Sequence, residues 1–176
     1  FEWNNPATIG EMGVGDKTLN GVFGSLMPRT AGFNTVDVGE LESPSVLVHT
    51  LLMFIGGGSA STAGGIKVTT FAVLVLIVWA ELRGHEDTIA FRRRINPAAQ
   101  RQAVAVSVIA MASVFGVLFA LMATVPSDVA PLDVMFEAFS AFGTVGLSRG
   151  ITGELGNVGQ ALVIGLMFLG RLGPLT

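Results

Sequence analysis

Cysteine is absent from this chain, so neither a disulfide framework nor a thiolate metal site is open to it. Charge is scarce as well. Asp, Glu, Lys and Arg make up 13% of the residues, against about a quarter in soluble domains. Histidine occurs twice. No Ser/His/Asp set, histidine cluster or carboxylate pair stands in the apolar segments, which ranks an intramembrane enzyme last. An initiating methionine and a signal-peptide pattern are also missing. The chain runs from Phe1 to Thr176, stops within an apolar segment, and is expected to be a fragment of a longer membrane protein.

What is abundant is apolar surface. Hydrophobic residues reach 51% and the mean hydropathy is +0.66, which places the chain in the membrane class. The charges are segregated. Arg83, Arg92, Arg93, Arg94 and Arg101 crowd one segment, which should face the cytoplasm. Glu2, Glu11, Asp16, Asp37, Glu40, Glu42, Asp128 and Asp133 occupy the opposite ends of the spans and should face outside. Membrane lipid is thus an expected partner, and no feature points to nucleic acid.

A repeat organises the chain. Thr30-Ala31-Gly32-Phe33-Asn34 and Thr144-Val145-Gly146-Leu147-Ser148 share the pattern T-small-G-apolar-polar, 114 positions apart. The same offset relates Gly39-Glu40-Leu41 to Gly153-Glu154-Leu155, and Leu52-Met53-Phe54 to Leu166-Met167-Phe168. Each T-x-G run follows a half-length apolar segment, at about 19–28 and about 132–143, too short for a bilayer span of about 20 residues. Each precedes a longer one, about 45–82 and about 157–176. A further spanning helix is expected at about 102–125. The fold class expected is an all-α membrane protein built from repeated helix–pore loop–helix units, as in potassium channels.

Those loops suit a chemistry of dehydration. A potassium ion sheds water only where fixed oxygens replace it, and stacked backbone carbonyls with a threonine hydroxyl do so. Carbonyls can align only if some residue adopts φ > 0, the role expected of Gly32 and Gly146. Tight turns in a soluble domain would explain one T-x-G; two in register beside half-length helices favour a filter. A secondary cation transporter with broken helices and a midplane substrate site is the alternative.

The second apolar region is interrupted by Gly56, Gly57, Gly58, Ser59, Ala60, Ser61, Thr62, Ala63, Gly64 and Gly65. A phosphate-binding loop fits poorly, because Lys67 comes one position late and lacks the adjoining hydroxyl. Close helix packing through small residues and an irregular loop across a water-filled cavity both remain. Arg171 interrupts the last apolar run, either snorkelling to the inner interface or reaching the pore. Lys67 is open between balancing a cavity field and snorkelling, and His49 is a helix-packing or pore-wall residue. Glu137 is expected to make a local hydrogen bond.

The runs PRTAGFNT, MFIGGGSASTAGGIKVTT, FSAFGTVGLS and MFLGRLGPLT resemble the Trk/Ktr/HKT superfamily of potassium uptake proteins, specifically the C-terminal half of the Ktr-type membrane subunit. The resemblance covers essentially the whole chain. It implies four units in one polypeptide, with residues 1–82 as most of the third, 83–101 as a cytoplasmic basic loop and 102–176 as most of the fourth. It implies that residues 30–34 and 144–148 are filter strands binding potassium through backbone carbonyls. The Gly56–Gly65 loop and Arg171 would form a gate. It further implies a multi-pass protein of the bacterial inner membrane that is completed by its own missing first half. A homodimer is implied, controlled by a cytosolic nucleotide-binding ring subunit. No cofactor is implied; potassium is the substrate, with sodium as a possible activator. Neither loop has the second glycine of T-V-G-Y-G, so selectivity as sharp as in tetrameric potassium channels is not expected.

Overall fold

The computed structural model of the chain describes residues 1–58, 63–84, 88–90 and 93–172. Six helices follow in order: α1 (Val14–Leu26), α2 (Ser43–Phe54), α3 (Val68–Leu82), α4 (Pro97–Thr124), α5 (Pro131–Gly143) and α6 (Asn157–Leu172). A two-residue antiparallel ladder, Ile89–Ala90 with Arg93–Arg94, lies in the basic segment. It is too short to alter the all-helical class. Two helix ends differ from the sequence reading. Helix α1 begins at Val14 because its polar first turn, with Asp16 near the positive helix end, is helical too. Helix α4 begins at Pro97, where the Asn96 side chain accepts from Ala98 N–H and Pro97 supplies a preset φ. The basic loop therefore ends at Asn96.

Helix α5 is the centre of the molecule. Val134 and every residue from Phe136 to Gly143 are buried, because α2, α4 and α6 all pack on it. One apolar cluster joins it to Val114, Leu118, Leu121 and Leu166. A second joins Phe136 to Val46, Met53, Val145 and Leu147. Helix α1 is the opposite case, with no buried residue and with Val14, Leu19, Val22 and Leu26 exposed.

The outer faces are apolar. Val108, Ile109 and Phe119 of α4, Val78 and Trp79 of α3, and Ile164 and Phe168 of α6 are all more than half exposed. Helix α4 is the one described helix long and apolar enough to cross a bilayer. Its hydroxyls suit that environment: Ser107, Ser113 and Thr124 donate to carbonyls of Ala103, Ala110 and Leu121, one turn back. Helices α2, α3 and α6 are apolar but shorter.

The break between α2 and α3 is a closed loop. Gly56 N–H donates to Ile66 O at 2.8 Å, Ile66 N–H to Phe54 O at 3.0 Å and Val68 N–H to Gly57 O at 3.2 Å. Ile55 and Ile66 so pair as an isolated parallel bridge. Gly65 takes φ 75°, and a Cβ there would stand 3.0 Å from Phe54 O. Backbone groups freed by the interruption are thus satisfied at its base, as they must be at membrane depth. Ser59, Ala60, Ser61 and Thr62 lie outside the described residues.

An acidic strap holds the outer start of α2. One Glu2 carboxylate oxygen accepts from Glu42 N–H at 2.9 Å; the other accepts from Asn5 Nδ2 at 2.7 Å and Thr8 Oγ1 at 2.8 Å. Burial alone would raise the Glu2 pKa. Hydrogen bonds from Ser45, Asn5, Thr8 and Glu42 outweigh it and hold the carboxyl below its ordinary 4.5. A depressed folded-state pKa means that Glu2 stabilises the fold above that ordinary value and ceases to as pH falls through the depressed one. The difference in melting temperature between full-length wild type and Glu2→Gln should therefore be greatest near neutral pH and shrink in acid. A difference constant with pH would contradict the strap.

Candidate functional site

Both T-x-G loops leave the C-terminal end of a short helix. Thr144 follows α5 directly and closes it in the left-handed conformation, φ 51° and ψ 39°. Thr144 N–H donates to Ala141 O and Val145 N–H to Ser140 O, both at 3.0 Å, the paired bonds of a left-handed helix terminus. Two residues on, Gly146 has φ 87°. The first loop repeats the pattern, with Thr30 at φ 65° and Gly32 at φ 71°. Its Ala31 and Gly32 N–H groups share the Met27 carbonyl at 3.2 Å each.

Thr30 and Thr144 are the non-glycine residues with positive φ among those described. A side chain in that region costs about 1–2 kcal/mol, and a β-branched one is a true outlier. The same outlier at the same repeat position points to retention of the threonine hydroxyl at a functional site. The intervening residue has negative φ in each loop. This alternation turns successive peptide planes so that carbonyl oxygens can share one side.

The two loops touch. A Cβ on Gly32 would collide with the Val145 carbonyl oxygen, whereas one on Gly146 would meet open space. Val145 and Leu147 bury their side chains with Val38, Val46 and Met53, and Gly146 between them is exposed. The second loop therefore shows backbone, not side chain, to its open side. The first is less covered: Phe33 is 69% exposed, and Asn34 is exposed and donates to Val36 O. A cavity of about 540 Å³ separates α1 and this loop from α2, with Val22, Phe23, Phe33, Leu52 and Leu147 in its wall.

Glu137 braces the second loop from behind. It is 6% exposed. Its Oε2 accepts from Ser148 Oγ at 2.7 Å and its Oε1 from Thr152 Oγ1 at 2.6 Å. Ser148 Oγ also accepts from Gly150 N–H at 3.1 Å. The sequence suggested a local bond; the structure shows a carboxylate holding the last residue of the T-x-G run. At the repeat offset the first unit has Phe23, Asn34 and Val38 instead, so its loop lacks this brace. Arg149, which the sequence reading passed over, donates from Nε to Asp133 Oδ1 at 2.5 Å and from Nη1 to Val38 O at 2.7 Å and Leu41 O at 3.4 Å.

The broken helix lies against the end of the second loop next to α5. A Cβ on Gly64 would stand 2.5 Å from Thr144 Oγ1 and 2.8 Å from Gly143 O. A Cβ on Gly143 would stand 2.7 Å from Met53 O. Phe54 packs on Phe139 and Phe142, with ring centroids 5.6 and 5.8 Å apart. Only glycine fits this approach of the loop backbone to the end of α5. On the other side, a Cβ on Gly170 of α6 would collide with the Phe142 carbonyl, and Arg171 is the next residue, exposed in the last turn of α6.

Of the remaining candidates, His49 ties α2 to α1: Nδ1 lies 2.8 Å from Ser45 O and Nε2 3.1 Å from Gly24 O. It is a packing residue. Lys67 is the N-cap residue of α3. No group of His, Asp and Glu suited to a metal occurs among the described residues.

Residues 3–176 match the TrkH family, described as cation transport protein. The chain is 47% identical over its whole length to Ktr system potassium uptake protein B of Bacillus subtilis, covering 39% of that protein. It is 43% identical, again over its whole length, to Ktr system potassium uptake protein B of Vibrio alginolyticus, covering 38% of it. Over 92% of the chain it is 36% identical to the potassium/sodium uptake protein NtpJ of Enterococcus hirae, covering 36% of that protein. The chain thus spans well under half the length of these curated relatives.

Removing the brace should be measurable. Glu137→Ala removes the acceptor of two hydroxyls; Ser148 Oγ and Thr152 Oγ1, 2.9 Å apart, can then satisfy one donor between them, and the one left over should destabilise the full-length protein by about 1–3 kcal/mol. Glu137→Gln keeps one acceptor oxygen and should cost less. Thermal unfolding in detergent gives the order wild type, Gln, Ala; three equal melting temperatures would contradict the brace.

Proposed function

The chain belongs to the TrkH family of cation transport proteins, membrane transporters rather than enzymes, and from that premise we propose that it supplies two filter loops of a potassium uptake pore. The observation that carries this reading is the conformation repeated at Thr30–Gly32 and Thr144–Gly146. Alternating φ signs, small or inward-buried side chains and a threonine hydroxyl at the helix end make a wall of oxygens. Such a wall substitutes for the hydration shell of a monovalent cation. Helices α1 and α5 each end just before a T-x-G run, and the partly negative C-terminal end of a helix favours a cation beside it.

The remaining oxygens come from the first half of the same polypeptide. The exposed α1 and Phe33 offer that half an apolar surface. The Gly56–Gly65 loop acts as the gate, supported by the approach of Gly64 to Thr144. Arg171 opposes cation passage until that loop moves. The full protein sits in the bacterial inner membrane as a multi-pass homodimer under a cytosolic nucleotide-binding ring subunit. Sodium acts as an activator, as the resemblance to the Ktr-type subunit implies.

Uptake in cells lacking their own potassium transport tests this reading in the full-length protein. Gly32→Ala and Gly146→Ala should each lower potassium-over-sodium discrimination, and a tenfold loss would correspond to about 1.4 kcal/mol less preference between the two ions. Gly32→Ala should be the more severe, since its Cβ meets Val145 O as well as an unfavourable φ. Unchanged discrimination in both would refute the filter. Arg171→Ala should raise potassium flux, and unchanged flux would remove its gating role. A linear, non-saturating current separates the pore from a midplane transporter.

A further inference from the structure

We propose that Arg149 sets the distance between the two filter strands, and so acts as a positioning residue for ion selectivity. The proposal rests on the filter reading above and deepens it. Arg149 directly follows the second strand. Its guanidinium reaches three acceptors on two elements: Asp133 in the first turn of α5, and the Val38 and Leu41 carbonyls of the segment that leaves the first strand and enters α2. Val38 and Leu41 lie 108 to 111 positions away in sequence. One side chain therefore links the exit of each strand to the start of one helix behind each.

The strands themselves meet where Gly32 lies against Val145 O, but that contact sits within the strands; among the described residues no other side chain ties their exits together. Val38, Leu41, Val145 and Leu147 also meet there, but apolar contact has no preferred direction and tolerates small slips. Among the described residues, the hydrogen bonds between the two loop exits come from Arg149 alone. A planar guanidinium with fixed N–H directions holds both distance and angle. The side chains of Arg149 and Asp133 are only 13% and 22% exposed, so salt screens the pair weakly. The tie is also one-sided. At the repeat offset, the positions of Arg149 and Asp133 are Thr35 and Leu19, so no second clamp compensates for its loss. Carbonyl spacing decides which dehydrated ion is matched, and the clamp acts on that spacing without touching the ion.

The test uses full-length protein in proteoliposomes, reading rubidium uptake and its competition by sodium. Arg149→Gln should lower the preference for rubidium over sodium at least tenfold, with protein per vesicle within twofold of wild type. Arg149→Lys, which can meet fewer acceptors, should fall between the two. Asp133→Asn should lower the preference in the same sense, and the double variant should be no worse than Arg149→Gln alone. Lower uptake with unchanged preference would mean a merely structural role and would overturn the proposal. If Arg149→Gln does not accumulate, unchanged preference in both Arg149→Lys and Asp133→Asn overturns it. A wild type without preference refutes the filter reading itself; a selective wild type with an equally selective Arg149→Gln refutes only the clamp.

Discussion

A peptide carbonyl at membrane depth must face a hydrogen-bond donor or a cation, because hydrocarbon offers neither. The T-x-G loops and the break between α2 and α3 both face that demand. Helix α5 ends at Gly143, well inside the protein, and its last carbonyls are closed by the Thr144 and Val145 N–H groups. The carbonyls beyond it have no helix to enter. The break between α2 and α3 makes the same demand, and the Ile55–Ile66 bridge answers it. In the proposed function, the carbonyls left over in the T-x-G loops are the ones that meet an ion.

Holding such groups in line requires support from behind, and the two loops differ in how they get it. The second has a buried carboxylate, a packed helix and two inward apolar side chains. The first rests on the second through Gly32 and is otherwise open on the α1 side. A fold assembled from similar units does not have to brace each one alike. Order established at one loop passes to its neighbour through backbone contact.

The repeat was legible in the sequence because it is short-range: five residues, a fixed offset, a glycine whose φ the turn requires. The interruption at Gly56–Gly65 was legible for the same reason, although Ser59 to Thr62 lie outside the described residues. Helix ends were less so. The first turn of α1 is polar, and hydropathy alone misses a turn that begins at Val14. The left-handed Thr30 and Thr144 went unread because threonine almost never adopts that conformation, so no propensity signals it. Glu137 was placed but not connected, since Ser148 and Thr152 lie 11 and 15 positions on. Arg149 was invisible: an arginine after a loop reads as solvated, and its partners are set by tertiary packing.

In the proposed pore, bare backbone oxygens of both loops replace the water around a passing monovalent cation. Anomalous diffraction from crystals of the full-length protein grown in rubidium addresses it most directly. The account predicts rubidium peaks on the line between residues 30–32 and 144–146, in direct contact with carbonyl oxygens of both loops. Rubidium found only in the outer mouth, still hydrated or held by side-chain carboxylates, would contradict it.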